Sequence, residues 1–206
     1  MTWRVFLAGE GPSEIGNADA PAQYSSEARE GVLHALLCRT IGSGFHIVGA
    51  RKWKDIRKLQ IRSTRTSGTN EADTVEKICV HAIEANANLI VFVRDRDGQP
   101  GREADITAGL AAARIKFASE LARCHLVGGV ATEAVEAWVL AIQGDTRCER
   151  HRDPKGLIRA GQMNHVDYLV SEIAKPARIN PPPAAKSLHA FLQQLRGAAE
   201  AGPPSR

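Results

Sequence analysis

With 206 residues, 43% of them hydrophobic and 24% charged, the chain has the make-up of one well-buried globular domain with some appended segments. No apolar run approaches the roughly 20 residues that a membrane span needs. The start, Met1-Thr2-Trp3-Arg4, lacks the apolar stretch of a secretory leader, so the expectation is a cytoplasmic protein with no membrane partner.

Aromatic residues make up only 5%, so Val, Ile, Leu and Ala must build most of the core. Val5-Phe6-Leu7-Ala8 reads as a first strand, followed over 10–26 by a loop rich in Gly, Pro, Ser and Asn. A helix is expected over 26–40, with Val32, Leu33, Leu36 and Leu37 at amphipathic spacing and Gly42 and Gly44 ending it. Residues 45–48 form a second strand. From Arg51 to Arg65 the chain reads RKWKDIRKLQIRSTR, seven basic residues against the single acid Asp55. This run, with Arg51, Lys52, Lys54, Arg57, Lys58 and Arg62, suits the backbone of a nucleic acid. A solvated loop is the plainer alternative, and Trp53 either stacks on a base or anchors the loop to the core.

A second helix is expected over 73–85, its inward stripe being Val75, Ile78, Cys79, Ala82 and Ile83. Leu89-Ile90-Val91-Phe92-Val93 is a continuous apolar run of strand length, as a strand buried on both faces of a parallel sheet requires. Asp105 reads as the N-cap of a third helix, with Ile106, Leu110, Ala113, Phe117 and Leu121 turned inward. Residues 124–130 read as a fourth strand and Thr132 as the cap of the next helix. Strand and helix alternate throughout, which predicts an α/β fold over 1–145 with a mostly parallel central sheet flanked by helices. Residues 146–197 read as a helical C-terminal extension packed on that domain: a short helix at Asp153-Pro154, another over 165–174, three prolines at 181–183 and a last helix over 185–195. A disordered tail is expected over 198–206. The four cysteines form no CxxC pair, which argues against zinc, and Cys38 and Cys79 fall on apolar helical faces as simple buried thiols.

Three acidic stations stand out: Gly9-Glu10-Gly11-Pro12-Ser13-Glu14, Asp95-Arg96-Asp97-Gly98 and Glu133-Ala134-Val135-Glu136-Ala137-Trp138. A carboxylate at the end of a parallel strand lies where α/β folds place their ligands. Several gathered there repel one another unless a divalent cation neutralises them, and an all-oxygen set suits Mg²⁺ or Mn²⁺. Asp95 and Asp97 point to one side of an extended segment, and Gly98 permits a sharp exit; an Asx turn closing a strand uses the same residues. Glu10 sits between two glycines, but the segment lacks the GxGxxG and GxxxxGK patterns of phosphate loops. Glu133 and Glu136 are expected to share the polar face of a helix, although a favourable helix dipole alone accounts for Glu133. Glu10, Asp95, Asp97 and Glu136 are thus expected to converge in one exposed cleft.

Glu-Gly-x-x-Glu after a first strand, then Asp-x-Asp-Gly after a hydrophobic one, resembles the TOPRIM domain of topoisomerases, DnaG-type primases and OLD-family nucleases. With Glu136-Ala137-Trp138-Val139-Leu140-Ala141, Asp153-Pro154-Lys155 and Lys186-Ser187-Leu188-His189-Ala190-Phe191, most of 1–195 resembles a family of small stand-alone TOPRIM-like bacterial proteins often associated with ATPases in defence loci. The resemblance implies a TOPRIM/Rossmann-like sheet and a metal-dependent nuclease acting on DNA or RNA. Asp95, Asp97 and Glu136 would hold Mg²⁺ or Mn²⁺, with Glu10 as a further ligand or general base and Lys155 steadying the transition state. Lys186 would join the basic run in meeting nucleic acid. A non-catalytic partner or regulatory subunit of an ATPase is the alternative. The basic stretch after the second strand is unusually long for this resemblance. A phosphatase of the haloacid dehalogenase type fits less well, because its nucleophilic aspartate belongs on a first strand that here ends in Gly-Glu-Gly.

Overall fold

The computed structural model describes residues 2–17, 30–58, 70–159 and 161–204. In chain order, β1 (Trp3–Gly9) leads through α1 (Pro12–Ile15) and α2 (Val32–Ile41) to β2 (Phe45–Lys52). Then come α3 (Trp53–Lys58), α4 (Asn70–Glu84), β3 (Leu89–Asp95), α5 (Arg102–Lys116), α6 (Ala118–Leu121) and β4 (His125–Ala131). The chain closes with α7 (Val135–Ile142), a 3-10 turn at Cys148–Arg150, α8 (Pro154–Leu157), α9 (His165–Ala174) and α10 (Lys186–Ala201).

The four strands form one all-parallel sheet in the order β2-β1-β3-β4. Side chains alternate across it, as strand geometry dictates. Val5, Leu7, Leu89, Val91 and Val93 face one side, with Leu33, Leu36, Trp138, Leu169 and Leu192 from α2, α7, α9 and α10. Phe6, Ala8, Ile90 and Phe92 face the other, with Trp53, Ile56, Val75, Ile78 and Ile106 from α3, α4 and α5. The fold is α/β with helices on both faces, as the alternation of elements required. From β1 the chain turns outward to β2, then crosses back to β3 on the far side of β1. The strand order therefore reverses between β1 and β3, and such a switch point opens a crevice beyond the carboxyl ends of the strands.

Several boundaries differ from expectation for local reasons. The second strand runs on through Arg51 and Lys52, and the basic stretch continues as helix α3. There Trp53 and Ile56 are buried while Lys54, Arg57 and Lys58 are exposed, so Trp53 is a core anchor. Arg62 lies outside the described residues, as do 26–29 of the expected first helix. Helix α5 begins at Arg102 behind Gly101, and Asp105 falls in its first turn, where its N–H bonds back to the Gly101 carbonyl. Helix α7 is capped by Ala134 and not by Thr132. Cys79 is buried, its thiol pushed by burial to about 12, whereas Cys38 is exposed and all four thiols are free. The last helix extends to Ala201 with Ala198 buried, so the first residues of the expected tail are ordered, since they complete α10. Among the described residues no helix is long and apolar enough to cross a membrane.

Candidate functional site

The switch point between β1 and β3 gathers the acidic stations. Glu10 follows β1 directly, and its Oε1 accepts the Asp95 N–H at 3.2 Å while pairing with Arg94. Asp95 ends β3. Its side chain turns inward, almost fully buried, and Oδ1 accepts the N–H of Val135 at 3.1 Å. That bond caps α7, so the carboxylate of one station fixes the helix carrying the next. Asp97 and Gly98 then take left-handed backbone, with φ of 49° and 67°. Glycine does this without strain and aspartate is among the few other residues that tolerate it, so the turn leaves Asp97 exposed beside the buried Asp95.

Glu133 and Glu136 do not share a polar face. Glu133 precedes α7 with a φ of 65°, its carboxylate paired with Arg96 and its carbonyl accepting the Asp97 N–H. Glu136 lies within α7, is 0% exposed, and is approached by His165 Nε2 at 2.8 Å and Lys155 Nζ at 3.7 Å, both toward Oε1. Its Oε2 is buried without a partner. The reason is tertiary: α8 and α9 cover a helix face that period alone assigns to solvent.

Glu14 is the carboxylate that the sequence pattern did not single out as a site residue. Its signal was present, as the second glutamate of Glu-Gly-x-x-Glu. On the short α1 it is buried, and its Oε2 accepts the Gly11 N–H at 2.6 Å. Burial pushes its carboxyl up to about 7, against the lowering pull of Gly11 and Lys155, with the Glu136 charge adding to the rise. Burial likewise lifts Asp95 to about 8, reinforced by the charges of Glu14, Glu136 and Asp97. Three buried carboxylates, from α1, β3 and α7, thus lie close together, and the Glu136 charge disfavours ionisation of both Glu14 and Asp95.

The expected quartet is accordingly regrouped. Asp95 and Glu136 lie at the buried centre with Glu14, while Glu10 and Asp97 stand at the margin, each held by an arginine. Arg94 takes Glu10, and Arg102 Nη1 lies 3.1 Å from Asp97 Oδ2. A cavity of about 580 Å³ opens over Asp95, Asp97 and Glu133, with Arg152, Asp153 and Lys155 on its far wall. A larger cavity of about 720 Å³, beside the start of β4, has no carboxylate in its lining.

Among the described residues no three or more His, Cys, Asp or Glu side chains are already arranged as a metal-ligand group. The donor chemistry nevertheless fits a hard divalent cation. Glu14, Asp95 and Glu136 supply only oxygen, each has one oxygen occupied by a protein donor, and Glu136 Oε2 is left buried and unsatisfied.

The basic residues fall on two flanks of the crevice. Lys52 pairs in register with Gly9, the residue before Glu10, so α3 with Lys54, Arg57 and Lys58 begins at the carboxyl end of the sheet. Lys186 opens α10 on the β4 side, and a third cavity of about 590 Å³ there has Arg96, Glu149 and Lys186 in its lining. No protein family, curated protein or solved structure matches the chain.

Proposed function

We propose that the chain is a nuclease, hydrolysing phosphodiester bonds of DNA or RNA with the help of Mg²⁺ or Mn²⁺. One observation carries the reading: three mutually repelling carboxylates, Glu14, Asp95 and Glu136, are buried at the switch point of a parallel sheet, and one of their oxygens is orphaned. Burying such groups without a compensating cation is costly, and a fold maintains that cost most readily where function uses it. Asp95, Glu136 and Glu14 would hold the cation, which when bound supplies charge to a phosphate and acidifies an attacking water. Lys155, well exposed at the rim and 3.7 Å from Glu136, is placed to meet the charge that develops on phosphate oxygens. Glu10 would have to leave Arg94 before acting as a general base, so its first role is to hold the start of the Asp95 turn through the Asp95 N–H.

Purified protein is expected to bind Mn²⁺ saturably and to nick plasmid or cut single-stranded RNA in a Mn²⁺-dependent way, with both properties lost in Asp95→Asn. Absence of cleavage with binding intact would favour the alternative, a non-catalytic TOPRIM-like partner or regulatory subunit of an ATPase. That alternative draws on the arginines already neutralising Glu10 and Asp97. Absence of Mn²⁺ binding sinks the cation site itself. A role in a bacterial defence or DNA-processing system belongs to this proposal through the resemblance alone.

The exposed cations Arg51, Lys54, Arg57 and Lys58 are assigned to the nucleic-acid backbone, with Lys52 beside them and Lys186 on the opposite, β4 side of the crevice. Changing those four to glutamine should weaken binding and reduce the log–log salt slope by about 0.7 to 0.9 for each phosphate no longer neutralised. A fluorescence-anisotropy salt titration decides this. An unchanged slope means that the nucleic acid docks elsewhere.

A further inference from the structure

Behind the acidic crevice lies a buried ionic network that the carboxylates alone do not explain. Arg102, in the first turn of α5, has a side chain only 4% exposed. Its Nη1 donates both to the main-chain oxygen of Asp95 and to Asp97 Oδ2, and its Nε lies 3.4 Å from Glu71 Oε1. Glu71 on α4 also accepts the Trp53 indole N–H at 2.8 Å and pairs with Arg94 Nη2 at 3.3 Å. Arg94 in turn holds Glu10 and lies over the Trp53 ring at 5.5 Å.

Two adjacent buried guanidiniums are an expensive way to join α4 to α5. Packed apolar side chains of similar volume do that task as well or better. What only a guanidinium supplies is a rigid fork gripping two points at once. Here one arm, Nη1, grips the turn at the carbonyl of Asp95 and the carboxylate of Asp97, on either side of Arg96 and at the start of two successive left-handed residues, while the Nε edge faces Glu71 Oε1 at 3.4 Å. Holding the Asp95 carbonyl fixes the direction in which the Asp95 side chain leaves the backbone.

We propose that Arg102, anchored by Glu71, is a positioning residue for the cation site: it locks the Asp95–Asp97 turn so that Asp95 faces Glu14 and Glu136, and it keeps Asp97 out of the ligand set. The inference rests on the reading that these carboxylates bind a divalent cation. It assigns the buried carboxylates to the cation and the exposed Asp97 to Arg102. Removal of a group that orients a metal ligand typically weakens affinity by about 10- to 100-fold.

Mn²⁺ binding by calorimetry and electron paramagnetic resonance tests this on the full chain, with thermal unfolding in EDTA recorded for every variant. Arg102→Gln is expected to remain folded and to bind Mn²⁺ about 10- to 100-fold more weakly, with an altered hyperfine pattern. Arg102→Lys, which keeps the charge but not the fork, should recover part of the loss. Asp97→Asn should bind within a few-fold of the parent, unlike Asp95→Asn, which should not bind. A parent that fails to bind Mn²⁺ overturns the cation reading and this assignment together. A parent that binds, beside folded Arg102→Gln and Arg102→Lys proteins that bind equally well, overturns the assignment alone. If neither Arg102 variant folds, the arginine is part of the scaffold and the positioning role is rejected.

Discussion

Asp95→Asn is expected to melt roughly 4–8 °C above the parent protein at pH 8 in EDTA, while the two proteins melt together near pH 4. Burial first, and the charges of Glu14, Glu136 and Asp97 after it, raise Asp95 from 3.8 to about 8; burial raises Glu14 from 4.5 to about 7. Both groups hold a proton more tightly in the folded chain than in the unfolded one. Stability that is fully present below about pH 4 is therefore lost as the pH rises toward 7 and 8, and it levels off above that. At 1.36 kcal/mol per unit the rise from 3.8 to about 8 corresponds to about 5 to 6 kcal/mol. Relaxation and water reaching the site are expected to remove roughly half of it, and burying an amide in place of the acid takes about 1 kcal/mol more. About 2 kcal/mol remains, and 1 kcal/mol is worth roughly 2–4 °C in a chain of this size. Asparagine keeps an oxygen for the Val135 N–H. Asp95→Ala does not, and losing such a helix cap costs about 1 kcal/mol, so alanine should gain clearly less than asparagine. Melting curves between pH 4 and 9 distinguish the cases. A lower melting point for Asp95→Asn at pH 8 would show that the fold accommodates this charge and needs it.

The sheet was legible because its strands carry their own signals. Five consecutive apolar residues at 89–93 can only be satisfied by burial on both faces, and β3 is buried throughout. Asp95 and Glu10 were legible as strand-end carboxylates for the same reason. Glu136 was found as a residue but misread as an exposed one, because its burial comes from α8 and α9, more than a dozen residues further along the chain. Arg94, Arg102 and Glu71 carried no local signal at all. Arg94 directly continues the apolar run of β3 and Arg102 opens α5, and the two become one buried network with Glu71 only when α4 and α5 pack side by side. Periodicity reports how a segment meets its own face of the core; it contains nothing about which distant segment closes over it. The same gap explains Glu14. Its short helix has only four residues, too few for any period, and its burial depends on packing against the chain leading into α2.

That packing gives the other large expected effect. Gly31→Ala should destabilise the protein by about 3 kcal/mol, roughly 6–12 °C in melting temperature, at the upper end for an overpacked site. The backbone angle is not the obstacle, since φ at Gly31 is −105°, which alanine adopts freely. Space is the obstacle. A methyl group there would lie 2.4 Å from the main-chain oxygen of Glu14 and 2.4 Å from the Gly16 nitrogen. Both are backbone atoms, so no flexible side chain can swing aside, and α1 must move as a unit. Gly129→Ala is the matched control, because a methyl group there meets nothing within 4 Å, and its melting point should stay near that of the parent or rise slightly. Moving α1 also carries Glu14 away from Asp95 and Glu136. The loss of stability between pH 4 and 8 should then be shallower in Gly31→Ala than in the parent, because part of the repulsion that raises Asp95 comes from Glu14. A variant that is less stable yet retains the full parental pH dependence would separate the packing of α1 from the electrostatics of the cluster. A Gly31→Ala protein that melts with the parent would show that α1 yields freely, and that the chain ahead of α2 does not hold Glu14 in place.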